Sequence, residues 1–308
     1  MNKSIFSLLV ISSLLYWSCA DQKEKSNSVW QKDKEVTTQV SSSDKDFLIT
    51  IDTDSGTMKA VLFEDTPLHR DNFIKLAKQT FYDDLLFHRV IQGFMIQGGD
   101  PDSKDASPYA QLGGGDIGYL IPAEMTSNRK HFKGAIAAAR KGGPTNPEKK
   151  SSGCQFYIVD GMELTPQVLE NMYVKMDSLY KYFGLLTQDE EYASLQTEMY
   201  HLQQRQDKEG MQQFILNYKD TCEQRFNVEL DKPLTEEQKA RYLKDGGYPA
   251  LDDNYTVFGQ VVEGLEVIDK IASMPTGRGD RPVQDIKMTV TVEEVSKEQL
   301  KQQYGFQQ

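Results

Sequence analysis

Phe87-His88-Arg89-Val90-Ile91-Gln92-Gly93-Phe94-Met95-Ile96-Gln97-Gly98-Gly99-Asp100 is the stretch on which the reading of this chain turns. Its apolar residues fall in short runs, Phe87 to Phe94 and Met95 to Gln97, stopped by Gly98-Gly99, which suits strands and is too short for a helix. The rhythm continues on both sides. Upstream, Phe47 to Ile51 and Met58 to Phe63 flank a turn at Asp54-Ser55-Gly56 and predict a hairpin. Thr66 as N-cap, Pro67 at the first helical position and Phe73, Ile74 and Ala77 on one face predict a helix over Pro67 to Gln79. Downstream, Gly134 to Ala139, Gln155 to Val159, Tyr255 to Phe258 and Lys287 to Val292 are further strand candidates, with a helix over Glu266 to Ser273. Many short strands and few helices point to an all-β barrel or sandwich.

One block breaks that rhythm. Between about Gly161 and Tyr248, Thr165-Pro166 caps a run in which Val168, Leu169, Met172, Tyr173, Met176, Leu179, Tyr180 and Phe183 recur at helical spacing. Thr187 with Glu190 predicts a second helix, Phe214, Ile215, Tyr218 and Cys222 mark a third, and Thr235 with Gln238 starts a fourth. A block of roughly 85 residues between strands of one barrel reads as an insertion at a loop, because closure entropy grows only slowly with loop length. Its Tyr and Met stripes read as helix packing before they read as a ligand site.

Composition sets outer limits. The chain has 308 residues, 38% hydrophobic and 26% charged, enough for one or two globular domains. A net charge of -11 argues against nucleic acid as the main partner, since phosphate binding needs clustered Lys and Arg. His69, His88, His131 and His201 show no metal-ligand spacing, and Gly113-Gly114-Gly115 lacks the following helix or Lys of a phosphate cradle, so it reads as a flexible loop. Neither metal nor cofactor is expected. The apolar run Ile5 to Trp17 behind Lys3 is short for a membrane span and suits a signal-peptide core. Ala20 to about Asp46 is polar and too poor in apolar residues to offset ordering entropy, so it reads as a flexible tether. Cys154 and Cys222 read as free buried thiols, with pairing left open.

Two resemblances sharpen this reading. Leu14-Leu15-Tyr16-Trp17-Ser18-Cys19 resembles a bacterial lipoprotein signal, which implies cleavage before Cys19 and attachment of a lipid to its thiol; an ordinary cleaved signal or an uncleaved anchor are the alternatives. The run from Phe87 to Asp100 resembles the active-site signature of the cyclophilins. Gly153-Cys154-Gln155-Phe156-Tyr157-Ile158 and Tyr255-Thr256-Val257-Phe258-Gly259-Gln260-Val261 are similar to two further strands of that family, in the same order. The likeness covers about 47–160 and 249–295. It implies a mainly β fold, a closed antiparallel cyclophilin-like barrel capped by helices, carrying the inserted α-helical block. The expected organisation is a signal peptide over 1–18, a lipidated Cys19 with its tether over 19–46, the barrel over 47–160 and 249–308, and the insertion over 161–248.

The same resemblance implies a peptidyl-prolyl cis-trans isomerase acting on proline-containing segments of unfolded or partly folded exported proteins. Rotation about a peptide bond faces a barrier of about 18–20 kcal/mol from amide resonance, and even X-Pro bonds interconvert over tens to hundreds of seconds. An apolar pocket can hold the proline ring, and a fixed cation aimed at the prolyl nitrogen binds the twisted state better than either planar one. Arg89 suits the cation. By resemblance Phe94, Met95, Tyr157 and Leu251 form the pocket. Gln97 and Gln155 bond the substrate backbone and hold Arg89, while Ala139 and Arg140 line the groove. Tyr255 stands where many members carry His. Arg140 replaces the usual Asn, Tyr157 replaces the common Phe and needs a partner for its hydroxyl, and Ala250 lies where cyclosporin-sensitive members carry Trp, so weak inhibition by that drug is expected.

Each residue also has a plainer reading. A lone Arg beside aromatics is ordinarily a surface or stacking residue, and Phe94, Met95 and Leu251 would by default be core. The other functional readings are a non-catalytic module that holds proline-containing segments and a chaperone working through the helical insertion. The localisation expected is an exported protein, lipid-anchored to a bacterial membrane and facing periplasm or cell surface.

Overall fold

The protein's structure, a computed structural model, describes residues 44–306 and 308. The expected signal peptide, Cys19 and all but the last residues of the expected tether lie outside the described residues. Regular structure begins with β1 (Lys45–Thr53), two residues ahead of Phe47, because Asp46 is fully buried with Arg70 3.8 Å away. β1 turns into β2 (Gly56–Leu62) in antiparallel register, Leu48 opposite Val61 and Thr53 opposite Gly56. The helix α1 (Pro67–Lys78) follows. Thr66 sits at its N-cap position, but the Thr66 side chain makes no capping bond. Glu124 replaces it from a distant loop, accepting from the backbone N–H groups of Leu68 and His69 at 3.0 Å each.

The next strands are β3 (Leu85–Leu86), β4 (Arg89–Ile91), β5 (Met95–Gly98), β6 (Leu120–Ile121), β7 (Ala135–Ala138), β8 (Ser151–Ser152) and β9 (Phe156–Val159). After the helical block come β10 (Val257–Glu263) and β11 (Lys287–Ser296). Nine of these form one sheet in the order β3-β11-β1-β2-β10-β7-β9-β5-β4, and β6 pairs with β8 separately. The closed barrel expected from the sequence is corrected here. Among the described residues no ladder joins β3 to β4, so the sheet is a curled, open half-barrel. Its two edges are instead consecutive in the chain, linked only through Phe87 and His88. The covalent link through those two residues holds the edges near one another without a ladder.

Between β9 and β10 lie α2 (Pro166–Met172), α3 (Met176–Leu186), α4 (Leu195–Gln204), α5 (Lys208–Leu216), α6 (Lys219–Phe226) and α7 (Glu236–Asp245). The single run read from Val168 to Phe183 is broken at Tyr173 to Lys175, where the backbone leaves the helix to pair with 230–232 through Lys232 N–H to Tyr173 O at 2.8 Å and Lys175 N–H to Leu230 O at 2.7 Å. The helix expected to start at Thr187 starts at Leu195. Thr187 ends α3, its hydroxyl donating to Gly184 O at 3.1 Å instead of capping the next helix. Thr165 caps α2, and Thr235 with Gln238 makes a complete capping box on α7. Two further helices, α8 (Leu265–Ala272) and α9 (Lys297–Tyr304), lie outside this block. The sequence reading contained no α9.

The helices α3 to α6 enclose a core of their own around Leu179, Phe183, Leu186, Ile215 and Cys222. Tyr173 and Tyr242, by contrast, pack with Phe132 of the loop before β7. The block leaves and re-enters at one neck, where Met162 N–H donates to Gly247 O at 3.1 Å and Gly247 N–H returns to Met162 O at 3.2 Å. A Cβ on Gly161 would stand 2.6 Å from the Gly247 Cα, and Gly161 has φ +70°, so glycine permits both the turn and the approach. No helix among the described residues is long and apolar enough to cross a membrane. Cys154 and Cys222 are both free and buried.

Candidate active site

Sheet register assembles the site. Arg89 lies opposite Gln97, Gln97 opposite Tyr157, and Tyr157 opposite Ala137, so one row crosses β4, β5, β9 and β7. Residues directly opposite share a face and alternate residues return to it, so Met95 and Val159 join the same side. That face packs Met95, Ala135, Ala137, Tyr157 and Val159 with Phe63, and Phe94, Ala139, Leu251 and Tyr255 close over it. The result is a cavity of about 310 Å³. Arg89, Phe94, Met95, Gln97, Ala139, Arg140, Tyr157, Leu251 and Tyr255 all line it. Gln155 stands directly behind, nearly buried.

Local structure explains how each group is held. Phe94 closes a turn with its N–H to Ile91 O at 3.1 Å, and Phe94 O accepts from the N–H groups of Asp160 and Gly161 at 3.0 Å each. The Asp160 carboxylate takes the Gly93 N–H at 2.7 Å. A four-residue turn is thereby fixed to the end of β9. The ring of Phe94 rests on Tyr248, 4.5 Å between centroids.

The two glutamines are not arranged as the resemblance implied. Gln97 donates its amide to Gln155 Oε1 at 3.0 Å, and Gln155 donates to Gly113 O at 3.2 Å and Gly115 O at 2.8 Å. Among the described residues neither glutamine bonds Arg89. Asp280 does, its Oδ2 3.3 Å from Arg89 Nε. The Gly113-Gly114-Gly115 loop, read as flexible, is tied from two sides: its carbonyls by Gln155, and the N–H groups of Gly113 and Gly115 by the buried carboxylate of Asp100. A Cβ at Gly115 would fall 2.0 Å from Asp100 Oδ1.

Tyr157 finds a partner for its phenol. Its hydroxyl lies 2.9 Å from Nε2 of His131, whose Nδ1 is 2.8 Å from Asp252 Oδ1. Asp252 is fully buried. Burial pushes its carboxyl up, but the donors of His131 and Tyr173 outweigh that and hold it below the usual carboxylate range. An ionised carboxylate only accepts, so Nδ1 of His131 carries the proton that faces it. Burial keeps the Tyr157 phenol protonated far above its ordinary range. Tyr255 packs edge-on to Tyr157 at 5.9 Å, and the Arg140 guanidinium lies 4.4 Å over the Tyr255 ring while its Nε donates to Asn254 O at 2.8 Å.

Sequence reasoning missed His88, Leu112, Gly113 and Gly279, which also line the cavity, and Tyr248, Asp280, His131 and Asp252 around it. The position of His88 inside the motif was the one available signal. Arg89, about 40% exposed, faces the cavity beside its apolar wall of Phe94, Met95 and Leu251, with Asp280 as its one bonded partner among the described residues, leaving its other N–H groups for a ligand. A cation beside an apolar socket, with no nucleophile required, suits rotation about an imide bond.

Comparison with known proteins agrees. The family described as cyclophilin type peptidyl-prolyl cis-trans isomerase/CLD matches residues 48–193 and 194–293. A Staphylococcus epidermidis protein described as a peptidyl-prolyl cis-trans isomerase is 30% identical over 254 residues, covering 82% of this chain and 94% of its own. A Staphylococcus haemolyticus protein with the same description is 28% identical, over 79% of this chain and 89% of its own. A Streptococcus pyogenes protein described as a bifunctional phosphatase/peptidyl-prolyl cis-trans isomerase is 30% identical over 77% of this chain, which spans 37% of that longer protein. Among solved structures, a Cryptosporidium parvum cyclophilin type isomerase aligns with TM-score 0.45 and 17% identity over 81% of this chain and 98% of its own. With a family match along most of its length and relatives of this similarity, the chain belongs to the cyclophilin-type peptidyl-prolyl cis-trans isomerases.

Proposed function

We propose that this isomerase accelerates X-Pro rotation in exported proteins, from a position anchored to a bacterial membrane through a lipid on Cys19. The lipoprotein-like stretch before Cys19 and the polar run behind it support the anchor. The finer domain plan follows the same reading: tether over 19–46, catalytic unit over 47–160 and 249–308, helical block over 161–248. Its clients are proline-containing segments of unfolded or partly folded chains, the proline ring among Phe94, Met95, Tyr157 and Leu251, the flanking backbone along Ala139, Arg140 and Gln155.

The observation that carries this reading is that Arg89, Phe94, Met95 and Leu251 line one open cavity. As the imide twists, the lone pair localises on the prolyl nitrogen, and the Arg89 N–H groups not taken by Asp280 can donate to it. Removing one such donor costs other enzymes about 100- to 1,000-fold in rate. Protease-coupled isomerisation of a short X-Pro peptide tests it: Arg89→Ala should lose about 100-fold in kcat/KM. Equal rates for both proteins would remove Arg89 from the reaction. Mass spectrometry of the mature N-terminus, with fractionation, tests the anchor; an unmodified Cys19 would end it.

A further inference from the structure

We propose that the helical block between β9 and β10 is a working part of the isomerase site, with Tyr173 and Tyr242 acting as positioning residues for Tyr157 through Asp252 and His131. This rests on the isomerase reading of the cavity above. The contacts form one unbroken chain. Tyr242 of α7 donates to Asp252 Oδ2 at 2.8 Å, and Tyr173, at the end of α2, donates to the same oxygen. The other oxygen takes the His131 backbone N–H at 2.9 Å and the His131 ring at 2.8 Å. The far side of that ring meets the Tyr157 hydroxyl at 2.9 Å, and Tyr157 is a wall of the cavity. Every member is nearly or fully buried, from 0% exposed for Asp252, His131 and Tyr242 to 5% for Tyr157.

Charge explains why the tyrosines are needed. An ionised carboxylate taken out of water is costly unless its lone pairs are filled, and truncating one partner of such a group leaves the remainder uncompensated. Asp252 has four donors, two of them from the block. Without those two, the carboxylate must shift toward other donors or admit water. His131 is fastened to it by two bonds and would follow, carrying the Tyr157 hydroxyl.

The neck of the block supplies a second connection to the same place. Gly247 pairs with Phe132, and Tyr248 N–H donates to His131 O at 2.8 Å. Tyr248 then lays its ring on Phe94. The block is therefore attached to the cavity at His131 and at Phe94, two places that a simple surface add-on would leave untouched.

The test is a coupling measurement on the full chain. Tyr173→Phe/Tyr242→Phe lies outside the cavity and should lower kcat/KM about five- to tenfold, since small misplacements of reacting groups are costly. In a Tyr157→Phe background, which lacks the hydroxyl that transmits the shift, the same pair should cost less than about twofold. Equal losses in kcat/KM in both backgrounds, or no loss in either, would overturn the proposal. If the double variant does not fold, Tyr242→Phe alone is read by the same comparison. The ¹³C-methyl resonance of Met95, inside the cavity, gives a readout independent of turnover. A resonance that moves with Tyr173→Phe/Tyr242→Phe only when Tyr157 is present supports the coupling even if the wild-type chain proves inactive, an outcome that would sink the isomerase reading alone. A Met95 resonance unmoved in both backgrounds counts against the coupling.

Discussion

Arg89 reaches across the open edge of the sheet to Asp280, with Nε 3.3 Å from Oδ2, and this ion pair rather than a glutamine orients the guanidinium. Both side chains are close to half exposed, 40% and 47%, so the pair adds little to stability. Its effect falls on catalysis, where two consequences oppose one another. The carboxylate aims the guanidinium, and it also cancels part of its field. Screening by solvent weakens the second more than the first. Asp280→Ala should therefore lower kcat/KM about three- to tenfold, roughly 1 kcal/mol, with an unchanged melting temperature. A rise in rate would show that Asp280 restrains Arg89.

Gln155 spends both ends of its amide inside the protein, accepting from Gln97 and donating to the carbonyls of Gly113 and Gly115. Gln155→Leu removes these part-buried bonds, at about 0.5–1.5 kcal/mol each in stability. The groove loop and Gln97 then lose their registration together. The expected kinetic signature is a rise in KM with a smaller change in kcat, because Arg89 itself is not attached to this network. A fall in kcat alone would show instead that the network does hold the cation.

The β4–β5 part of the site was legible because it is local: Arg89 to Gln97 is one hairpin, and a strand's alternation of two puts Met95 and Gln97 on one face without knowledge of the rest. Tyr157 advertised a need, a phenol in a pocket, but not its partner. His131 lies 26 positions away, and Asp252 lies 121 positions from His131. Asp280 is 191 positions from Arg89. No local propensity encodes a contact at such separations; tertiary packing alone makes it. The same limit explains Thr66, a sound N-cap by type that is displaced by Glu124, and the open sheet, whose edge pairing is settled by tertiary packing. It also hid the bonds joining the helical block to the cavity, since Tyr173 read from sequence as an ordinary packing residue and Tyr242 carried no signal of its own.

Gly161 and Gly247 hold the neck. Gly161→Ala must place its Cβ against the Gly247 backbone at 2.6 Å and adopt φ +70°, where a side chain is strained. About 1–3 kcal/mol of destabilisation follows, or roughly 2–8 °C in melting temperature for a unit of this size. Gly184→Ala is the control. It lies within α3 with no heavy atom inside 4 Å of the added methyl, so it should be neutral or stabilising. Equal melting temperatures for the two variants would show that the neck tolerates widening.

His88 links stability to pH. It is 3% exposed, and among the described residues neither ring nitrogen makes a well-aligned hydrogen bond. Burial therefore lowers its pKa to about 4, against the opposing pull of Asp100 and the Leu86 backbone and with help from Arg89 and Arg281. The unfolded chain protonates this ring near 6.5, so between about 6.5 and 4 the unfolded state binds the extra proton. The stability due to a neutral His88 is present in full above pH 6.5 and is lost as the pH falls toward 4, on the order of 3 kcal/mol over that window. His88→Gln removes the titration. Urea unfolding at successive pH values should show the difference between wild type and His88→Gln shifting by about that amount between pH 7 and pH 4, with the wild type losing more on acidification. Parallel curves would mean that the ring gains a partner or water in solution and stays protonatable where it is.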